Sequence, residues 1–122
     1  MSSFVDTNVL LYTVDASEPE KRRRAVDVLE ERADDLVVSA QVLSEFYAVA
    51  TRRLRQPVTE TEAAAYIDDL ERLPIVSMDL RLVRAAIRLS REAQLSYWDG
   101  LILAAAREGG CDVLLTEDLS HG

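Results

Sequence analysis

Short apolar segments alternate with helix-forming segments along the chain, and this alternation restricts the fold more than any other feature. Each apolar segment is only a few residues long and is followed by apolar residues at helical spacing. Strands that alternate with helices favour a parallel sheet covered by helices on both faces. We therefore predict an α/β fold, a three-layer sandwich with a central parallel sheet of four to five strands. The predicted strands lie at residues 4–5, 36–38, 74–77 and 112–116.

The size of the chain indicates a single domain over residues 1–122. A chain of 122 residues, of which 48% are hydrophobic, is able to bury one core. Its apolar runs are far shorter than the roughly 20 residues of a membrane span. The N-terminus also lacks the basic and then apolar pattern of a signal peptide. We therefore expect a cytoplasmic protein with no membrane association.

Two residue types are too scarce to support several common kinds of chemistry. The single cysteine, Cys111, excludes an internal disulfide and a multi-cysteine zinc site. The single histidine, His121, excludes a histidine pair for acid-base cleavage of RNA, and no Ser-His-Asp triad is plausible. The net charge of -8 argues against binding to nucleic acid through global charge. Local clusters of arginine still permit local binding.

Four acidic residues are predicted to meet at one edge of the sheet. Asp6 and Asp118 follow the first and last strands, whereas Glu45 and Asp99 lie in the first turns of helices. Strand ends and helix starts share the carboxyl edge of a parallel sheet, where open α/β sheets bind ligands. Two carboxylates about 5 Å apart repel by roughly 3 kcal/mol at an effective dielectric constant near 20. Convergence therefore requires raised pKa values or a bound cation.

The kind of donor predicts which cation such a site would bind. Hard oxygen ligands without histidine or cysteine favour Mg²⁺ or Mn²⁺ over zinc. A site of this type suits hydrolysis of a phosphodiester, because metal ions lower the pKa of an attacking water and stabilise charge on the leaving oxygen. Neither role requires a histidine.

Each of these acids also has a purely structural explanation. Asp6 is able to cap the helix that follows it, and Asp118 is able to belong to a turn. Asp99 lies at capping-box spacing from Ser96. Glu45 is the hardest to explain in this way, because an isolated acid in an apolar helix is costly unless it is paired with an arginine or a metal ion.

Four motifs that span nearly the whole chain resemble, in order, the signatures of PIN-domain ribonucleases. Among these enzymes, the chain most resembles the VapC-type toxins of prokaryotic toxin-antitoxin pairs. A single Asp-Thr-Asn would be a weak signal, but the set of four is fairly specific. The motifs are FVDTNVL at residues 4–10, SEF at 44–46, LSYWDGLI at 95–102 and LLTEDL at 114–119.

The resemblance implies endonucleolytic cleavage of RNA that depends on Mg²⁺ or Mn²⁺. The acidic metal-binding and catalytic core that it implies consists of Asp6, Glu45, Asp99 and Asp118. Polar neighbours that it implies to orient carboxylates or water are Thr7 or Asn8, and Thr116. Local arginines are candidates for contacts with RNA phosphates. They are Arg52, Arg53 and Arg55, and a stripe formed by Arg81, Arg84, Arg88 and Arg91, which is otherwise a solvated face or a contact for an acidic partner.

The resemblance also implies partners. Relatives of this type form homodimers, act on an RNA substrate and are held inactive by a cognate antitoxin whose C-terminal segment crosses the active site. They also continue into a further short strand after the last acidic motif. This sequence stops at Gly122, so either a tail is missing from it or the protein is trimmed; if the chain ends there, the domain lacks this edge strand.

Other functions fit the residues less well. A receiver-like signalling domain requires a lysine after a late strand, but the only lysine is Lys21. A dehalogenase-like phosphatase requires a second aspartate at position 8, where Asn8 stands. A PIN-type nuclease in RNA processing and a non-enzymatic interaction module remain as alternatives to the ribonuclease toxin.

Overall fold

A four-stranded parallel sheet forms the centre of the molecule in the computed structural model, which describes residues 1–116. The strands are β1 (Ser3–Val5), β2 (Leu36–Ser39), β3 (Ile75–Val76) and β4 (Val113–Leu115). Their order in the sheet is β3-β2-β1-β4, and every neighbouring pair is parallel. The predicted parallel sheet is therefore confirmed. Strands β3 and β4 are shorter than the sequence pattern indicated.

Six helices within residues 1–116 cover this sheet. The segment between β1 and β2 contains α1 (Thr7–Val14) and α2 (Pro19–Glu31). The segment between β2 and β3 contains α3 (Ala40–Arg52) and α4 (Glu60–Leu70). The segment between β3 and β4 contains α5 (Leu80–Ala93) and α6 (Tyr97–Glu108).

The strand order explains how the helices form two layers. The first two connections step outward from β1 to β2 and then to β3, whereas the third returns past both strands to β4. Right-handed crossovers therefore place α1 to α4 on one face of the sheet and α5 with α6 on the other. The helix contacts agree, since α1 packs against α2 and α3, α3 packs against α4, and α5 packs against α6. The direction of the connections changes between β1 and β4, which is where such sheets bind ligands.

The sheet is buried on both faces, as its apolar strands require. Phe4 and Val5 of β1 and Leu115 of β4 have no exposed surface, and neither do Phe46 of α3 and Leu101 of α6. Burial of each such side chain contributes roughly 1.5–3 kcal/mol. This rigid core supports the carboxyl ends of β1 and β4, where the backbone N–H of the next residue after β1 bonds to the carbonyl of Leu115.

Residue spacing predicts a capping box formed by Ser17 and Glu20 and a place for Ile87 on the core face of α5, and both predictions are wrong. Ser17 and Glu20 have capping-box spacing, but Glu18 is the N-cap of α2 and makes no side-chain cap bond. Ser17 instead donates from its backbone N–H and its hydroxyl to Oδ1 of Asp15, a buried carboxylate that competes for it. Ile87 has the spacing of the core face of α5, yet 43% of its surface is exposed. None of the helices in residues 1–116 combines the length and apolar composition needed to cross a membrane.

Candidate active site

A cleft of about 280 Å³ at the carboxyl edge of β1 brings together three of the predicted acids. Asp6 directly follows β1, Glu45 lies in the second turn of α3, and Asp99 lies in the first turn of α6. The cleft thus joins elements from both helical layers. Its lining consists of Asp6, Thr7, Asn8, Leu11, Gln41, Glu45, Val49, Trp98, Asp99 and Ile102.

Asp6 is held in the cleft because it also caps α1. Its backbone is extended, and its Oδ1 accepts a hydrogen bond from the backbone N–H of Thr7 at 2.7 Å. Its own N–H donates to the carbonyl of Leu115 at 3.0 Å, which ties it to the end of β4. Asp6 is therefore a helix cap, as its structural explanation predicts, and at the same time a wall of the cleft.

Glu45 is half-buried and is held by two polar side chains. The amide nitrogen of Gln41 donates to Oε1 at 2.5 Å, and the hydroxyl of Thr7 donates to Oε2 at 3.3 Å. Within the described part of the chain, no arginine forms an ion pair with it. The arginine pair that would explain Glu45 structurally is thus missing there, and neutral donors fix the carboxylate at the cleft.

Asp99 lies at the cleft with an exposed side chain. Ser96 is the N-cap of α6, and its hydroxyl accepts a hydrogen bond from the backbone N–H of Asp99 at 3.1 Å. A full capping box also needs a bond from the Ser96 N–H to the Asp99 carboxylate, and the hydrogen bonds of residues 1–116 do not include one. The Ser96 cap therefore accounts for the hydrogen bond of the Asp99 backbone N–H but not for the position of the Asp99 carboxylate.

The donors in this cleft have the chemistry of a site for a hard divalent cation, since all three acids present oxygen. The residues up to Thr116 contain no group of three acidic, histidine or cysteine side chains with the spacing that holds a metal ion. Asp118 lies outside the described residues, so its predicted place at this edge stays a prediction. The carboxylate oxygens are ligands of the kind that Mg²⁺ or Mn²⁺ prefers. Coordination of one ion would require the three carboxylates to move closer together.

The other predicted site residues have different positions. Thr7 is buried and Asn8 is exposed, and both line the cleft. Thr116 follows β4 and is half-buried outside that lining. The arginines at the end of α3 are exposed and begin seven residues beyond Glu45, about 10 Å further along the helix. These are Arg52, Arg53 and Arg55. The arginines of α5 are also exposed, and Arg81 pairs with Glu108 of α6.

The cleft residues that were not predicted from the sequence include Gln41 and Trp98. Gln41 lies four residues before Glu45 on the same helical face, so its spacing to that acid was an available signal. Trp98 precedes Asp99 and keeps 62% of its surface exposed, which sequence periodicity does not reveal.

The sequence matches the profile of the PIN domain over residues 3–121. The chain belongs to the PIN domain family. No curated protein matches the sequence. The family match covers all four motifs, including the acid at position 118, and agrees with the parallel sheet and its flanking helices.

Solved structures share the fold of this PIN domain. VapC20 of Mycobacterium tuberculosis, a toxin that cleaves the sarcin-ricin loop, superposes with a TM-score of 0.75 at 21% identity over 94% of this chain and 88% of its own. A toxin-antitoxin complex from Klebsiella pneumoniae gives 0.70 at 22% identity, covering 94% of this chain and 85% of the other. VapBC2 of Rickettsia felis, bound to a DNA fragment from its promoter, gives 0.65 at 19% identity, with coverage of 95% and 87%.

Proposed function

We propose that this PIN domain is a metal-dependent endoribonuclease and the toxin component of a VapBC-type toxin-antitoxin system. The observation that carries the proposal is the cleft in which Asp6, Glu45 and Asp99 converge from three separate elements. Three acids that line one cleft serve no packing purpose, whereas they suit a cation and the phosphodiester that the cation attracts. The fold shared with VapC20, which cleaves RNA of the sarcin-ricin loop, supports the choice of substrate.

The three acids of the cleft and two of their neighbours have separate roles in this proposal. Asp6, Glu45 and Asp99 would hold Mg²⁺ or Mn²⁺, with Asp118 as a fourth acid. When bound, the ion would supply a Lewis acid that lowers the pKa of a water and stabilises charge on the leaving oxygen. The Thr7 hydroxyl keeps Glu45 aimed at the cleft, as the amide of Gln41 also does. Orientation of this kind by neighbouring groups typically contributes 10- to 100-fold to metal affinity or activity.

The structural neighbours suggest which proteins act with this one. The Klebsiella pneumoniae structure is a toxin-antitoxin complex, and the Rickettsia felis pair is bound to promoter DNA. We propose that this chain likewise binds a cognate antitoxin. From the resemblance of its motifs to VapC-type toxins, we also propose that it forms a homodimer and acts in the cytoplasm. A small neighbouring reading frame that encodes a DNA-binding protein would distinguish this toxin from a PIN nuclease in RNA processing.

The decisive experiment replaces Asp6 by asparagine. Asparagine caps a helix as well as aspartate does, so Asp6→Asn keeps the bond to the Thr7 N–H and leaves the melting temperature without metal unchanged or slightly higher. It removes a metal ligand, so we expect cleavage of RNA to fall by more than about 100-fold, beyond the loss typical of outer-shell partners. The stabilisation of the wild-type protein by added Mg²⁺ should also disappear.

Asp79→Asn is the matched control. Asp79 is likewise a helix N-cap, since its Oδ1 accepts from the backbone N–H of Leu82 at 2.9 Å in α5, and it lies outside the cleft lining. This variant should retain both cleavage and the response to Mg²⁺. Cleavage by wild-type protein in excess chelator, or full activity of Asp6→Asn, would show that the metal mechanism is wrong.

A further inference from the structure

Trp98 is unusually exposed for a tryptophan. It is the only tryptophan of the chain, and 62% of its surface is open although residues of this type are highly buried on average. Its ring contacts Tyr97 edge to face, with centroids 5.4 Å apart and planes at 64°. The contact orients the indole and leaves most of it free for another flat group.

A second depression, the Trp98 slot, opens beside the acidic cleft. Its volume is about 510 Å³, and its lining consists of Ala40, Gln41, Ser44, Glu45, Met78 and Trp98. Trp98 and Met78 supply its apolar surface, and 42% of Met78 is exposed. Gln41, Glu45 and Trp98 also line the acidic cleft, so the two depressions are adjacent. A ligand that fills the slot therefore lies beside Glu45, one of the three acids of the cleft.

Gln41 gives the slot a hydrogen-bond acceptor. Its amide nitrogen is committed to Glu45, which directs its carbonyl oxygen away from that carboxylate. This oxygen is buried and has no hydrogen-bond partner among residues 1–116. A buried acceptor without a partner costs free energy. A ligand N–H that reached it after a small displacement of the side chain would remove this cost.

We propose that the Trp98 slot binds an unpaired nucleobase of the RNA substrate, next to the phosphate that is cleaved. The inference rests on the proposed function, because it names the specificity of that same site. Trp98 stacks on the base, Met78 packs beside it, and Gln41 accepts a hydrogen bond from it. Sequence-specific proteins read single-stranded RNA by stacking unpaired bases on aromatic side chains.

The polar wall of the slot determines which bases fit. Gln41 has a buried carbonyl oxygen that a small displacement of its side chain would expose, and Glu45 has a carboxylate, so both favour a ligand that donates hydrogen bonds. Adenine, cytosine and guanine carry an exocyclic amino group, whereas uracil has one ring N–H between two carbonyl oxygens. The slot therefore selects bases with an amino group and disfavours uracil.

Intrinsic fluorescence tests the proposal directly, because Trp98 is the only tryptophan. Wild-type protein in EDTA, which prevents metal-dependent cleavage, is titrated with the trinucleotides AAA and UUU and with ribose 5-phosphate. We expect saturable quenching by AAA, binding at least about tenfold weaker for UUU, and no quenching by ribose 5-phosphate. Equal quenching by AAA and UUU would overturn the base selectivity, and no quenching by either would overturn the slot.

Variants test the slot through cleavage. Stacking of one base contributes roughly 5- to 150-fold to affinity. We expect Trp98→Ala to reduce kcat/KM within that range, mainly through KM, and to flatten the preference between A and U, while Trp98→Phe retains most of both. Leu80→Ala is the matched control, since Leu80 is also 62% exposed in the first turn of a helix but lies outside the slot.

The outcomes separate this inference from the proposed function. Cleavage that is unaffected by Trp98→Ala would overturn the base slot and leave the nuclease intact. Base-selective quenching without metal-dependent cleavage would support the slot and contradict the nuclease. If Trp98→Ala changed self-association in sedimentation but not the binding of trinucleotides, the exposed indole would be a protein interface and the proposal would be wrong.

Discussion

The hydroxyl of Thr7 donates a hydrogen bond to Oε2 of Glu45 over 3.3 Å, and so joins two residues 38 positions apart. The backbone N–H of the same threonine donates to Oδ1 of Asp6 at 2.7 Å. One buried residue therefore contacts two acids of the cleft and fixes the start of α1 against α3. The relative position of the Asp6 and Glu45 carboxylates therefore depends on Thr7, through its backbone N–H and its hydroxyl.

Thr7→Val tests this dependence. Valine keeps the branched shape and the N–H that bonds to Asp6, but it lacks the hydroxyl that orients Glu45. We expect the free energy of unfolding to fall by only about 1 kcal/mol. The affinity for Mg²⁺, measured from the rise in melting temperature with metal concentration, should fall about 10- to 100-fold. Thr51→Val, which removes a hydroxyl bonded to the carbonyl of Tyr47 in α3, should leave that affinity unchanged.

Gly100→Ala should destabilise the protein, although the same change in an exposed helix adds about 1 kcal/mol of stability. A Cβ at position 100 would lie 2.6 Å from the carbonyl oxygen of Ala86 and 3.2 Å from Cβ of Ser90. Because a backbone oxygen is unable to turn away, α5 and α6 must separate, and we expect a loss of about 1–3 kcal/mol. Urea unfolding measures this loss. A gain in stability would show that the two helices are not in such close contact.

The capping box of α4 should contribute to stability in a pH-dependent way. Hydrogen bonds from Thr59, above all from its backbone N–H, lower the pKa of Glu62 below its ordinary value of 4.5. A lowered pKa in the folded state means that this contribution is present above pH 4.5 and is lost as the pH falls through the folded pKa. Glu62→Gln should therefore flatten the acid side of the stability curve, measured by urea unfolding between about pH 3 and 7. Glu60→Gln in the same first turn should keep the wild-type slope.

Tyr66 should respond at the opposite end of the pH scale. The Thr13 hydroxyl donates to the carbonyl of Leu10, so the phenol of Tyr66 donates to the Thr13 oxygen at 2.6 Å. Burial raises the pKa of Tyr66 above 10.0, so its contribution is fully present below pH 10.0 and is lost as the pH rises through the folded pKa. Tyr66→Phe keeps the stacking on Phe46, costs about 1 kcal/mol at neutral pH and reduces the alkaline loss.

Tyr47→Phe is the control for this pair of effects. The phenol of Tyr47 forms no hydrogen bond to any residue of the described chain, so its removal should change the free energy of unfolding by less than about 0.5 kcal/mol. Alkaline unfolding curves of Tyr66→Phe and wild type that coincide would show that the Tyr66 phenol does not titrate as a buried group.

The sequence predicted the parallel sheet and the cleft because both depend on rules that act over the whole chain. The alternation of strands and helices determines which edge Asp6, Glu45 and Asp99 share, whatever the details of packing. Contacts between distant segments were not predictable in this way. Met78 lies in the loop before α5 and Trp98 at the start of α6, and tertiary packing places both in the lining of one slot. The spacing of apolar residues along the sequence does not predict such a contact.

Predictions from the local spacing of residues failed where contacts in the folded protein differ from those that the spacing suggests. Ser17 has the spacing of an N-cap, but the buried Asp15 carboxylate binds its hydroxyl. Ile87 has the spacing of a core residue, but α5 packs against α6 through Ala86 and Ser90, and this leaves Ile87 at the edge of the contact. The close approach of α5 and α6 at Gly100 determines which face of α5 is buried. Because this approach depends on both helices, the sequence of α5 alone does not predict it.

The position of β1 between β2 and β4 has a consequence for how the protein is made. Ser3 pairs with Leu36, which leaves the ribosome soon after it, but also with Val113, which is synthesised much later than either. Contacts between residues so far apart in sequence form late and slow the folding of a chain. The backbone bond that ties Asp6 to Leu115 therefore forms only after Leu115 has emerged from the ribosome. A nascent chain lacks this acidic edge until the segment that contains β4 has been synthesised.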